Sequence, residues 1–175
     1  EKIKTTSPAA LNDTAIVLGD ENLLTPLLNS MPNKIDGLNI TMGLPIRFSS
    51  TASLFDNLLK LHGENKKSFY YKNLISILSH ELIAPLLDNE DGDLCKIINT
   101  NNIVYANLNT LVKISVTNTE LLGILFDNWA DTNTAIDRCI KIIYMIKNYF
   151  DDKGSEKKIT FEYLYHFNKL FNKLK

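Results

Sequence analysis

Apolar and polar positions alternate with two different textures along this chain. Ala15 to Leu18 is a continuous apolar run, the pattern of a strand covered on both faces. Gly19 then allows a tight turn and Asp20 is suited to N-cap a helix. Glu21 to Ser30 sets Leu23, Leu24, Leu27 and Leu28 on one helical face, and Pro26 is expected to shorten or kink that helix. Leu38 to Met42 alternates as a second strand and ends in Met42-Gly43-Leu44-Pro45. Ser49-Ser50-Thr51 caps a helix from about Ala52 to His62, striped by Leu54, Phe55, Leu58, Leu59 and Leu61. So compact a strand-helix-strand order predicts parallel pairing with a right-handed crossover.

Gly63 to Lys67 breaks the pattern, and the chain beyond it reads as helical. Tyr70 to His80 carries an apolar face, and Pro85 stops the turn that follows. Asp88 to Asp93 is an acidic loop. Lys96 to Asn107 reads as short helix, turn and strand-like return, and Leu108 to Val116 fits helix or strand. Thr119 to Phe126, Thr134 to Phe150 and Thr160 to Leu174 read as helices. The expected fold is α/β but mostly helical. It has a lead-in over 1–13, a small parallel βαβ unit within 14–62, and a helical segment over 68–175.

With 175 residues, 45% apolar and 22% charged, the chain can bury a real core. A net charge of -1 gives no global pull toward nucleic acid or anionic membrane, though a local patch is still open. No apolar stretch is long enough to span a bilayer, and the first residues lack the apolar centre of a signal peptide. Cys95 and Cys139 sit far apart without metal spacing and read as reduced thiols of a cytoplasmic protein. The chain does not open on Met and is read as a piece of something longer.

Chemistry-bearing motifs are sparse. Asp88, Glu90, Asp91 and Asp93 around Gly92 fail the calcium-loop spacing, because glycine falls one place early and Asn99 stands where the closing Glu belongs. His62, His80 and His166 have no partner at ligand spacing. His80-Glu81 begins an HExxH pattern that Ala84-Pro85 ends. Glu64-Asn65-Lys66 and Glu156-Lys157-Lys158 satisfy E-x-K but lack the separate carboxylate strand of a nuclease site, so both read as solvated loop. No phosphate loop, nucleophile elbow or dinucleotide fingerprint occurs. The aromatic stripe Phe161, Tyr165, Phe167 and Phe171, beside Lys157, Lys158, Lys169, Lys173 and Lys175, reads first as core with a solvated lysine face. Its alternative is a stacking platform for nucleic acid. The same two readings hold for Phe69, Tyr70 and Tyr71 beside Lys66, Lys67 and Lys72.

The stretch TAIVLGDENLLTPLLNSMP…NITMGLPIRFSS…LFDNLLKL resembles the helicase-derived region of AddB/RecB-type helicase–nucleases, UvrD-like superfamily 1 relatives that end in a PD-(D/E)XK nuclease, in the form found in Bacteroidetes. Phe69 to Leu74 with Ile77 to His80 is similar to the opening helix of the inserted 2B subdomain, and Tyr163-Leu164-Tyr165 to a later 2B helix. The resemblance implies part of a RecA-like 2A lobe over 14–62 and a helical 2B-like insertion over 68–175. It also implies a degenerate ATP-sensing position. Where active relatives carry an Arg that reaches the γ-phosphate, this chain has Gly19 followed by Asp20, and a carboxylate repels phosphate. The Gly-Gly and basic position of the next motif is reduced to Gly43 with Arg47 nearby.

The expectation is therefore a non-catalytic, DNA-guiding scaffold from a DNA-repair protein that processes double-strand breaks, cytoplasmic and without membrane contact. Arg47, Lys66, Lys67 and Lys72 are its candidate DNA contacts. The piece needs no cofactor of its own. ATP and Mg2+ would serve the parent protein, and a helicase–nuclease subunit is the expected partner. The alternative is a protein–protein interaction module without DNA contact. A stand-alone enzyme on a Rossmann-like half ranks third, because the Gly19-Asp20 turn is acidic and has one glycine.

Overall fold

The computed structural model describes residues 14–31, 38–41, 46–63, 67–88, 90, 92–152 and 158–175. The chain divides into two compact units, Glu1–Pro45 and Ile46–Lys175. It is mostly helical.

In the first unit, Asp20 caps a 3-10 turn, Glu21–Leu23, which leads into helix α1, Leu24–Ser30. The helix thus restarts at Leu24, and Pro26 falls in its first turn. There the missing N–H leaves no helical hydrogen bond unmade, so the proline sets a start and not a kink. The strands expected at Ala15–Leu18 and Leu38–Met42 are not strands among the described residues, and Met42 lies outside them. A strand exists only where a neighbour pairs its backbone groups. The only sheet among the described residues is formed elsewhere, by a two-stranded antiparallel ribbon. Ile16 and Val17 stand exposed, as do Leu38 and Ile40. The parallel βαβ unit is accordingly corrected to one short helix, with no strand among the described residues of this unit.

The second unit holds helices α2 (Ser50–His62), α3 (Tyr71–Leu78), α4 (Leu94–Thr100), α5 (Leu108–Ile114), α6 (Thr119–Phe126), α7 (Thr132–Asp152) and α8 (Lys158–Leu174). Strands β1 (Phe69–Tyr70) and β2 (Tyr105–Ala106) complete it. The caps are local. Ser49 accepts the Ala52 N–H, Asp93 accepts those of Cys95 and Lys96, and Asn107 accepts that of Thr110. Gly92, at φ 95°, supplies the left-handed residue that turns the acidic loop into α4.

One core unites these helices. Leu54, Phe55 and Leu58 of α2 share it with Leu74 and Ile77 of α3, Leu122 and Leu125 of α6, and Cys139, Ile142 and Ile146 of α7. Helix α2 therefore packs with the helices that follow residue 68, and α7 and α8 lie against each other as a hairpin. Phe167 and Phe171 bring their rings to 5.2 and 5.1 Å from that of Phe55. The aromatic stripe of the last helix is thus split. Leu164 and Phe171 are buried and Phe161 and Phe167 are half-buried against the core, whereas Tyr165 is exposed.

Candidate nucleic-acid interface

The β1–β2 ribbon is built by turn chemistry. After α4, Asn102 takes a left-handed conformation at φ 51°, which asparagine tolerates better than other side-chain-bearing residues. Its N–H reaches the Asn99 carbonyl, and the Ile103 N–H reaches that of Ile98. The chain so returned pairs Phe69 with Ala106 and Tyr70 with Tyr105. The Tyr71 N–H donates to the Val104 carbonyl at 3.0 Å and fixes the start of α3 on the ribbon. Asn107 then caps α5 directly after β2.

Strand alternation gives the ribbon two faces. Phe69 and Ala106 are buried in the core, so Tyr70 and Tyr105 point outward. Tyr105 is 63% exposed, and Val104 beside it is exposed as well. The Tyr70 ring lies 5.5 Å from Tyr105 at 50° and 4.8 Å from Tyr71 at 71°. The result is a tilted aromatic ladder with its outer ring open to solvent.

Charge is distributed unevenly along the segments that build this ladder. Residues 65–80 and 94–119, which contribute the ribbon and its flanking helices, contain Lys66, Lys67, Lys72, Lys96 and Lys113 and no Asp or Glu. Glu64, Glu81, Asp93 and Glu120 border these two stretches, and the Asp93 carboxylate accepts the Lys96 N–H at 3.3 Å, so the carboxylate-free lysines nearest to Tyr70 in the chain are Lys67 and Lys72. Lys67, Lys72, Lys96 and Lys113 are exposed, and none takes part in an ion pair among the described residues. Exposed lysines without ion-pair partners among the described residues, on elements that also carry exposed aromatic rings, are suited to phosphate and to the face of a base.

Lys67 precedes β1 and Lys72 lies in the first turn of α3, so the two flank the strand that carries Tyr70. Lys66 lies outside the described residues. Arg47 sits in a 3-10 turn, Ile46–Phe48, ahead of α2, with its guanidinium 4.7 Å from the centroid of the Phe48 ring. Gly19 and Asp20 belong to the first unit. The Asp20 carboxylate accepts the Asn22 N–H and the Asn22 side-chain amide, both at 2.9 Å, so it serves the cap. A Cβ at Gly19 would meet nothing within 4 Å, and glycine is not required there by space. Tyr105 was not among the candidates, although the acid-free composition on both sides of it was already visible in the sequence.

The histidines and thiols are dispersed. The His62 imidazole is held below its ordinary range mainly by burial, and Arg138 adds to the effect. His80 is lowered by burial against the opposing pull of Glu81. His166 pairs with Glu162 one helical turn away, at 3.1 Å. Cys95 and Cys139 are free thiols. No group of three His, Cys, Asp or Glu among the described residues could hold a metal ion. No helix among them is long and apolar enough to cross a membrane.

An open cleft of about 570 Å³ lies between α7 and α8, lined by Ile143, Tyr144, Lys147, Asp151, Phe161, Glu162, Leu164, Tyr165 and Asn168. Comparison with family models, curated proteins and solved structures yields no match for this chain.

Proposed function

We propose that this chain is a non-catalytic, DNA-guiding piece of a cytoplasmic helicase–nuclease of the AddB/RecB type, which processes double-strand breaks. One observation carries the reading above the others. Phe69 to Leu74, the residues similar to the opening of the helical insertion in that family, form β1 and the first turn of α3, within a stretch over 65–80 that holds Lys66, Lys67 and Lys72 and no Asp or Glu. On this reading the 2B-like insertion is the helical segment over 68–175, and α2, within the 14–62 stretch given to the 2A lobe, packs with it in one unit. The segments at 15–18 and 38–41 would belong to a 2A lobe whose other strands they need for pairing. Gly19 and Asp20 then occupy the ATP-sensing position without a cation, and any ATP or Mg2+ is handled by the rest of the parent protein.

The test is ATP turnover by the full chain with and without DNA. The reading expects DNA binding and no hydrolysis above the blank. Steady-state turnover would overturn the non-catalytic assignment.

A second reading, a partner-docking module without DNA contact, is favoured by α8 and by the cleft beside it. Ile159, Leu170 and Leu174 repeat on one exposed helical face, and Tyr144 and Tyr165 are exposed at the cleft. In the helicase–nuclease setting this face would meet the partner subunit. Absence of DNA binding at low salt, together with co-purification of a stoichiometric partner, would favour this reading.

A further inference from the structure

We infer that the outward face of the ribbon, Tyr70 and Tyr105, is a stacking platform for unpaired bases of single-stranded DNA, with Lys67 and Lys72 taking its phosphates. This rests on the DNA-guiding reading above and assigns it a surface and a substrate form.

The register sets the platform. Because Phe69 and Ala106 are buried, their neighbours Tyr70 and Tyr105 must share the opposite face, and pairing holds the two rings 5.5 Å apart. Tyr71, half-buried against the core, braces Tyr70 edge to face. The inner pair already anchors the ribbon, and Tyr105 is left 63% exposed, its ring contact among the described residues being with Tyr70. A tyrosine ring with few rotamers, held from behind, loses little freedom when a base stacks on it.

The chemistry selects one ligand class. The ring requires a planar apolar partner, and exposed Lys67 and Lys72, on either side of β1 in the chain and without an ion-pair partner among the described residues, favour an anionic one. Bases in a duplex already stack on their neighbours, so only an unpaired strand offers both a free base face and a phosphate chain. An acidic peptide with an aromatic side chain meets the same description less well, since its charges need not follow the spacing of the rings.

The experiment is fluorescence anisotropy of the full chain with a labelled oligothymidylate of about ten nucleotides, a length within the usual site sizes of single-strand binders. A hairpin duplex provides the comparison. Single-strand binding is expected to be the tighter. Tyr105→Leu keeps apolar bulk on the ribbon and removes the ring, and should weaken binding by about fivefold or more. Tyr105→Phe should retain it, and the urea midpoint of both variants should stay near that of the parent. Unchanged affinity in Tyr105→Leu would overturn the platform and leave the DNA reading standing, as would equal affinity for duplex and single strand. No binding of either DNA by the unmodified chain at low salt would overturn both.

Discussion

The imidazole of His62 lies flat on the indole of Trp129, with ring centroids 4.1 Å apart and planes 4° from parallel. Its Nε2 lies 2.8 Å from the Leu125 carbonyl oxygen. A carbonyl only accepts, so Nε2 carries the proton and Nδ1 is the site for a second one. Phe69 closes the stack edge-on at 5.3 Å. The end of α2, the end of α6 and strand β1 thus meet at one neutral histidine.

That junction makes stability depend on pH. Burial lowers the His62 pKa below 6.5, with Arg138 acting in the same sense and the Leu125 carbonyl and Asp127 opposing. Burial lowers His80 too. The unfolded chain therefore binds more protons than the folded one below pH 6.5. The contribution is complete above that value and is lost as pH falls through the lowered one. The urea midpoint should drop between about pH 7.5 and pH 5, and His62→Gln should flatten the drop. Protonation also turns the stack into a cation–π contact. Emission from Trp129, the single tryptophan, should titrate with a midpoint below 6.5 and cease to do so in His62→Gln.

Thr51 is fully buried in the first turn of α2, and its hydroxyl oxygen has no hydrogen-bond partner among the described residues. Burying such a group unpaired is unfavourable, and replacing it by a methyl removes the penalty at nearly constant volume. Thr51→Val should raise stability by about 1 kcal/mol, read from the urea midpoint at unchanged m-value.

Asn118 ties the acidic loop to the start of α6. Its Oδ1 accepts the Asp88 N–H at 2.7 Å, while Nδ2 donates to the Asp88 carbonyl and to Ser115 Oγ, both at 2.8 Å. Asn118→Ala should cost roughly 1–3 kcal/mol, because it leaves buried polar groups unsatisfied. Asn118→Asp should cost at least as much, since a carboxylate would face the Asp88 carbonyl without a proton to donate. Chemical denaturation of the two variants checks the order.

Cys139 is fully buried, and its thiol is pushed up to about 12 by desolvation. Cys95 is half-buried, and burial and Asp93 raise its thiol. Thiolate is the reactive form. A disulfide reagent at about pH 8 should therefore modify Cys95 first and slowly, and reach Cys139 only with unfolding. Equal rates for both thiols in the native state would contradict the packing of α7.

The helices were largely legible because their apolar faces repeat over several turns. The long α7, read from Thr134 to Phe150, runs from Thr132 to Asp152, and α6 has the expected bounds. Leu108 to Ile114 is helix because Asn107 caps it, a signal stronger than the ambiguous apolar pattern behind it. Ala15 to Leu18 was misread because a strand is a property of two segments, and an apolar run says nothing of its partner. The ribbon itself was read only as a strand-like return after α4. Two residues per strand carry no alternation, and Tyr70 fits a helical pattern equally well. The candidate interface was half-legible for the same reason. Lys67 and Lys72 stand beside aromatics in the sequence, whereas Tyr105 reaches them only through pairing.

The most direct test of the central claim is the salt dependence of DNA binding by the full chain. The account predicts binding to oligothymidylate that weakens linearly in log K against log salt. In a Lys67→Glu, Lys72→Glu double variant the slope should be shallower by about 1.4, from about 0.7 per single-strand phosphate contact. No DNA affinity at low salt, or an affinity indifferent to salt and to both lysines, would contradict it.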